Sequence, residues 1–461
     1  MSLQLQFLGA TGEVTGSLYA IRTPSHTVLL ECGLIQGGPK SEERNWAPLP
    51  VAVDDIDAVI LSHAHIDHSG RVPLLVRQGY AGPIFVQNAT KALCGIMLPD
   101  SGYLNEKDTE YANRKRRRRG QPPLQPLYTR ADAENSLQLF RGLAYGEELE
   151  VVPDLLLRFH DAGHILGSAI VELCYRGKGG ERTLVFSGDL GYREAPVMNQ
   201  PATIAEAHAV LLESTYGDRE HRAFDDTLAE LAAVFRDASA AQGNILIPAF
   251  TVGRSQDLLY LMAENYERWN LDAWEIYLDS PMAIEATQVY AEFRHLYGAR
   301  LFGPDSNLPE LPNFHMTRTP EESMTINDIC SGAIIIAGSG MCSGGRILHH
   351  LKNNVWRPEC HLVIVGFQAE GTPGRRLVDG ADTIKLYGDE YRVRIQLHTI
   401  GGLSAHGDQA DLIAWYGAFR NRPPVYLVHG EPQAQLALAN KLREDLTAPV
   451  HIAEREQIIQ I

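Results

Sequence analysis

His63-Ala64-His65-Ile66-Asp67-His68 sets four metal-binding side chains within six residues, directly after the apolar run Ala58-Val59-Ile60-Leu61-Ser62. The run reads as a short buried strand, so the four side chains fall on the loop at its carboxyl end. His63 and His65 alternate and can face one ion, while Asp67 and His68, just past the turn, can reach a second. Imidazole nitrogen and carboxylate oxygen suit zinc or a similar borderline divalent ion, and fewer than four protein ligands per ion leaves a place for water. The competing reading is a surface loop that happens to be rich in histidine. HxHxDH is a far more restrictive pattern than one histidine pair, which favours metal.

The same design recurs further along. Leu155 to Phe159 reads as a strand entering a glycine turn that bears His164, and Thr183 to Phe186 as a strand that delivers Asp189. Ligands at several strand ends of one sheet converge on one rim. A carboxylate between two ions bridges them, and Asp189 is assigned that place. Glu31 ends the strand that starts at Thr27, so it belongs beside the metal loop or, on the alternative reading, in solvent.

From about residue 210 the pattern changes to βα units. Asp225 to Ala241 reads as a helix, Asn244 to Pro248 as a strand, and Gly253 to Arg268 as an amphipathic helix. Ile276–Leu278, Ala333–Ala337 and His361–Gly366 read as further strands, with a helix from about Gly345 to Asn354. Metal-type residues resume after this block, at His398, His406 and His429. The block therefore reads as an insertion: residues 1–209 and 388–461 form one domain and 210–387 another.

A chain of 461 residues is expected to form two or three domains, and 44% hydrophobic with 21% charged residues is ordinary for a globular protein. No apolar run approaches the roughly 20 residues that span a bilayer. The start shows no basic segment followed by an apolar one, and the six cysteines lack CxxC spacing. Both features point to reduced thiols and a cytoplasmic protein, and against a zinc ribbon. The net charge of -16 argues against nucleic acid at first sight. Bound divalent ions would make the site itself positive, however, and local patches outweigh the sum. One such patch is Arg114-Lys115-Arg116-Arg117-Arg118-Arg119. It closes an expected exposed helix from Glu106 to Arg118 and reads equally as a solvated face or a nucleic-acid contact.

The order of motifs resembles the β-CASP branch of metallo-β-lactamase-fold nucleases. That branch includes ribonucleases related to the nuclease subunit of the cleavage and polyadenylation specificity factor. The match covers nearly the whole chain: HAHIDHSG at 63–70, GH at 163–164, SGDLG at 187–191, ESTYGDR at 213–219, PAFTVGRSQDLL at 248–259 and DSPMA at 279–283. It continues with GSGMCSGGR at 338–346, GFQAEGTPGRRL at 366–377, LSAHGD at 403–408 and LVHGE at 427–431. The resemblance implies an α/β protein, an αββα sandwich with an inserted β-CASP domain and the active site in the cleft between them. It implies two zinc ions, one on His63, His65 and His164 and one on Asp67, His68 and His429, with Asp189 between. Glu213 and His406 match the branch's special carboxylate and histidine. A histidine at 429 favours RNA over DNA, and Glu31 stands where relatives usually have aspartate.

The activity so implied is RNA phosphodiester hydrolysis, either internal or from a 5′ end, in RNA processing or decay. Two metals supply an activated water and clamp phosphate oxygens, with Asp67 among the groups at the reacting centre. His406, held by Glu213, is expected to give the leaving oxygen its proton. Ser404, the loop at Gly345 and Arg346, and Arg254 are candidate phosphate contacts. A homodimer is also implied. The alternative is another hydrolase on the same metal core, acting on DNA or a small-molecule ester.

Overall fold

Leu155–Asp161 alternates buried Leu155, Leu157 and Phe159 with half-buried Leu156, Arg158 and His160. This is the period-2 pattern of a strand with one face on a core. It belongs to a seven-stranded sheet ordered Val450–Ile452, Val425–Val428, Ala209–Glu213, Gly180–Phe186, Ala169–Gly177, Leu155–Asp161, Glu148–Val152. Ala209–Glu213 is buried throughout and runs parallel to both neighbours, as its continuous Val210-Leu211-Leu212 run requires. A second seven-stranded sheet is ordered Ile458–Gln460, Gln4–Phe7, Tyr19–Arg22, Thr27–Leu30, Ala58–Ile60, Ile84–Gln87, Phe140–Leu143.

The two sheets share one core. Leu5, Phe7, Tyr19, Leu30 and Ile60 from one meet Leu157, Phe159, Val171, Phe186 and Leu211 from the other. On the far side of Ala209–Glu213, Val210 and Leu212 pack with Leu412, Trp415 and Tyr416 of helix Gln409–Gly417 and with Leu438 and Leu442 of helix Pro432–Leu446. Helix Asn88–Arg118 packs on the Ile84–Gln87 and Phe140–Leu143 strands of the other sheet. The expected αββα sandwich is thus present, formed from Met1–Arg193, Asn199–Glu220 and His406–Ile461. The computed structural model describes residues 3–298, 311–366, 368–369 and 371–461; Met1, Ser2 and the motif residues Phe367 and Glu370 lie outside these.

The second unit comprises Glu194–Met198 and His221–Ala405. Its six-stranded sheet is parallel, ordered Phe314–Met316, Glu275–Leu278, Ala333–Ala337, Ile245–Pro248, His361–Ile364, Gln396–Thr399. Helices such as Arg254–Glu264, Pro281–Glu292 and Ile347–Asn354 connect the strands, as parallel pairing demands. The joints between the units differ from the expected 209/210 and 387/388. Ala209–Glu213 completes a sheet of the first unit, and Gln396–Thr399 pairs with His361–Ile364 in the second. His398 accordingly lies in the second unit, where its ring stacks on His361 with Nε2 2.8 Å from His361 Nδ1. The basic segment is likewise no separate helix but the end of the 31-residue helix Asn88–Arg118. Among the described residues no helix is long and apolar enough to cross a membrane.

Asp279 holds the second unit's strand ends together. Fully buried, its carboxylate accepts from Thr317 Oγ1 (2.5 Å) and Ser323 Oγ (2.6 Å) and pairs with Arg346 Nη1 (2.7 Å) and His350 Nε2 (2.6 Å). Burial opposes its charge, but the hydrogen bonds from His350, Ser323, Thr317 and Arg346 outweigh burial and hold its pKa well below the usual carboxylate range. Asp279→Ala strands the buried end of the Arg346 guanidinium and leaves His350 Nε2 and two hydroxyls without their acceptor, so the second unit should lose about 3–5 kcal/mol. The midpoint of its urea transition reads this, and a loss under about 1 kcal/mol would contradict the assignment.

Candidate metal centre

The HxHxDH loop is held by backbone before any side chain is considered. Cys32 N donates to His68 O (2.8 Å), Leu34 N to Ile66 O (2.8 Å) and Ser17 N to Asp67 O (2.9 Å). A Cβ at Gly33 would lie 1.6 Å from Asp67 O, so no larger residue permits this approach. A second loop pair is tied the same way: Gly191 N donates to Ala162 O (2.8 Å), joining the Asp189 turn to the His164 turn. Gly407 N then donates to Leu190 O (2.7 Å), which brings His406 to the same place.

Seven side chains converge there. His65 Nδ1 is 3.1 Å from both His63 Nε2 and His164 Nε2, while Asp189 Oδ2 lies 3.5 Å from His63 Nε2 and 3.7 Å from His164 Nε2. On the other side of Asp189, His68 Nε2 is 3.4 Å from Oδ2 and His429 Nδ1 is 3.6 Å from Oδ1. Asp67 Oδ2 is 3.4 Å from His429 Nε2 and 3.8 Å from His68 Nε2. Two donors on one tetrahedral zinc, each about 2.0–2.1 Å away, stand roughly 3.3–3.4 Å apart, and the observed separations bracket that value. His68 Nε2 and Asp189 Oδ1 are buried with no hydrogen-bond partner, which a bound cation would supply. The donor set fits metal.

Neighbours fix how the ligands point. Glu31 is fully buried; its Oε2 is 2.6 Å from His68 Nδ1, and its Oε1 accepts from Ser62 N (2.5 Å). Burial raises the Glu31 carboxyl, and His68 and Ser62 N work against that shift; as a carboxylate Glu31 accepts from Nδ1, which leaves Nε2 facing the cluster. Glu31 reaches this position with a left-handed backbone, φ +67°, a strained conformation for a non-glycine residue. Ser62 Oγ likewise bonds His63 Nδ1 (2.9 Å) and Thr215 Oγ1 lies 3.1 Å from His429 Nδ1.

The electrostatics agree. Burial lowers His63 far below the usual histidine value and His65 to about 4, so both rings are neutral and able to ligate. Burial works against charge on Asp67 and Asp189, but His68 and His429 outweigh it and hold both carboxylates ionised. His68 is raised: burial lowers it, and Asp189, Asp67 and Glu31 prevail, so cation binding here displaces a proton.

Glu213 is fully buried beside this cluster. Its Oε1 accepts from Leu190 N (2.7 Å) and stands 3.2 Å from His406 Nδ1, which is also 3.9 Å from Asp189 Oδ2. Ser404, Gly345, Arg346 and Arg254 belong to the second unit. Arg346 gives its donors to Asp279 and to the carbonyls of Thr317 (3.0 Å) and Arg318 (2.7 Å). Gly345, at φ +71°, packs its Cα against Gly338, whose carbonyl a Cβ would strike. Arg254 is buried 3.8 Å from Asp257. Ser62 and Thr215 are absent from the sequence-based candidates; Ser62 directly precedes His63, and Thr215 lies within ESTYGDR, which is the one signal the sequence carries for them.

Residues 11–218 match a model of the metallo-β-lactamase superfamily, 255–377 a Beta-Casp domain and 390–453 a Zn-dependent metallo-hydrolase RNA specificity domain. The chain is 38% identical over 437 residues, 94% of each protein, to Ribonuclease TTHA0252 of Thermus thermophilus. It is 29% identical over 469 residues to Transcription termination factor FttA of Methanococcus maripaludis, covering 98% of this chain and 71% of that one. A crystal structure of a protein of unknown function from Enterococcus faecalis superposes over the whole of both chains with a TM-score of 0.56 at 13% identity, a likeness of fold.

Glu31→Gln offers His68 Nδ1 a donor in place of an acceptor and so turns its Nε2 hydrogen toward the cluster. Metal affinity should fall about 10–100-fold, measured by competition with a coloured chelator. Unchanged affinity would remove Glu31 from the centre.

Proposed function

We infer that this chain, which belongs to the β-CASP ribonucleases of metallo-β-lactamase fold, cuts RNA with two zinc ions held by the seven converging side chains. The observation that carries this reading is the division of those donors about Asp189 into two sets. His63, His65 and His164 would hold one ion, and Asp67, His68 and His429 the other, with Asp189 shared. When bound, the ions supply a water activated for attack and neutralise charge on the phosphate.

The chain's own part is the proton. Burial disfavours a charged His406, but Glu213 and Asp189 outweigh it and push its pKa up to about 9. The Glu213 carboxylate thus favours the protonated ring. With Nδ1 turned to Glu213 Oε1, Nε2 holds the hydrogen that the leaving oxygen receives. Glu213 is a positioning residue, fixed in turn by Leu190 N and by Thr215 N (3.3 Å). Ser404, two residues before His406, remains the phosphate contact this reading prefers, since Arg346 is committed to Asp279. All six cysteines are free, in keeping with a reducing cytoplasm. Assembly as a homodimer belongs to the same reading, and light scattering of the purified chain would decide it.

His406→Ala should keep both metals and lose cleavage on the order of 10²–10⁴-fold. Metal analysis beside an RNA-cutting assay checks this, and near-normal turnover would exclude His406 as the proton donor. Labelled RNA, labelled DNA and a chromogenic ester offered to the same preparation should show RNA cut in preference to the other two.

A further inference from the structure

The outer half of helix Asn88–Arg118 has no share in the chemistry above. Its inner half is anchored by buried Leu93, Cys94 and Leu98, but from Tyr103 onward the residues sort into two faces. Asn105, Thr109, Ala112, Asn113 and Arg116 are half-buried, on the side where the chain returns along the helix. Asn113 Nδ2 donates to Leu124 O (2.9 Å), Leu124 N donates to Asn113 Oδ1 (2.8 Å), and Arg116 Nε donates to Pro122 O (2.7 Å). Lower down, Ser101 Oγ bonds the hydroxyl of buried Tyr128 (2.7 Å). This returning segment braces the helix and decides which face points outward.

The outward face carries Tyr103, Lys107, Tyr111, Arg114, Lys115 and Arg118, all exposed. At 100° per residue they share a sector of roughly 120°, and the stripe runs roughly 22 Å along the axis at 1.5 Å per residue. Lys107 Nζ lies 5.5 Å from the Tyr103 ring centre and Lys115 Nζ 4.3 Å from that of Tyr111. The rings are nonetheless open, 44% and 60% exposed. Exposed Leu104 shares the sector, and two carboxylates flank it by about 20° on either side: Glu110, paired with Lys107 at 3.2 Å, and Asp108. On a chain of net charge -16, this is a concentrated cationic surface with aromatic rings set into it.

Rings alternating with cations along a line match the chemistry of an unpaired polynucleotide, whose bases stack on π faces while its phosphates meet ammonium and guanidinium groups. We propose that this face binds single-stranded RNA at a site separate from the metal centre. Bases stack on Tyr103 and Tyr111, and Lys107, Arg114, Lys115 and Arg118 hold the backbone. The choice of RNA rests on the ribonuclease reading; the stripe itself follows from the helix. Arg116 is excluded from it, because its guanidinium faces the returning segment. Double-stranded RNA is a poor ligand, since its bases are already stacked on each other.

The test uses the zinc-loaded full chain and a fluorescein-labelled oligoadenylate of about 20 nucleotides with phosphorothioate linkages, followed by anisotropy. Tyr103→Ala with Tyr111→Ala should weaken binding about 10-fold or more and leave duplex binding as it was. The Phe pair, which keeps the rings, should retain affinity. Replacing Lys107, Arg114, Lys115 and Arg118 with serine should flatten the salt dependence of binding. Hydrolysis of bis(4-nitrophenyl) phosphate, which reads the metal centre alone, should not change in any of these variants. Unchanged RNA affinity and salt slope would overturn the proposal. If the sedimentation coefficient fell instead, the face would be a protein contact, which overturns it equally. A wild-type chain that binds the oligonucleotide but cuts no RNA would fault the ribonuclease reading and leave the stripe standing.

Discussion

Three backbone hydrogen bonds, from Ser17, Cys32 and Leu34 to the carbonyls of residues 66–68, are the constraint on which the centre depends. They fasten the ligand loop to the neighbouring strand end without using a side chain. Every ligand atom on the loop is thereby free to face the ions. The fastening works only because position 33 has no Cβ. The same economy recurs at Gly191, where a Cβ would lie 1.9 Å from Gly163 O. Main chain holds main chain, and the imidazoles and carboxylates are left for chemistry.

What that framework gathers is a dense set of buried charges. Asp67 and Asp189 are ionised in a buried site, and His68 bears charge against them. Two of the polar atoms, His68 Nε2 and Asp189 Oδ1, have no partner, and each such group costs about 1–3 kcal/mol when buried unsatisfied. Metal binding supplies the partner that both atoms lack and offsets the charge of the facing carboxylates. It also resolves the apparent conflict between a net charge of -16 and a polyanionic substrate: the attraction is local, supplied by the cations and by basic groups such as His406.

Much of this was readable in the residues alone. The HxHxDH loop, His164, Asp189 and His429 come together because each follows a short apolar strand, the loop in one sheet and the other three in the sheet that shares its core. The joints between units were harder to read. Val210-Leu211-Leu212 resembles any buried strand, and nothing in its composition tells which sheet it will join. His398 was grouped with the metal-type residues by residue type, but its strand register places it on His361. Arg346 looked like a phosphate ligand for the same reason. Its partner Asp279 is 67 residues away in sequence, beyond the reach of any local pattern.

The order of the ligands along the chain also has a bearing on synthesis. His63 to Asp189 precede the second unit, whereas His406 and His429 follow it. A ribosome-bound polypeptide that has emerged only as far as residue 220 would carry six of the seven proposed donors but neither His406 nor His429. On the proposed assignment, the growing chain gains its proton donor and its last ligand only after the second unit has been made.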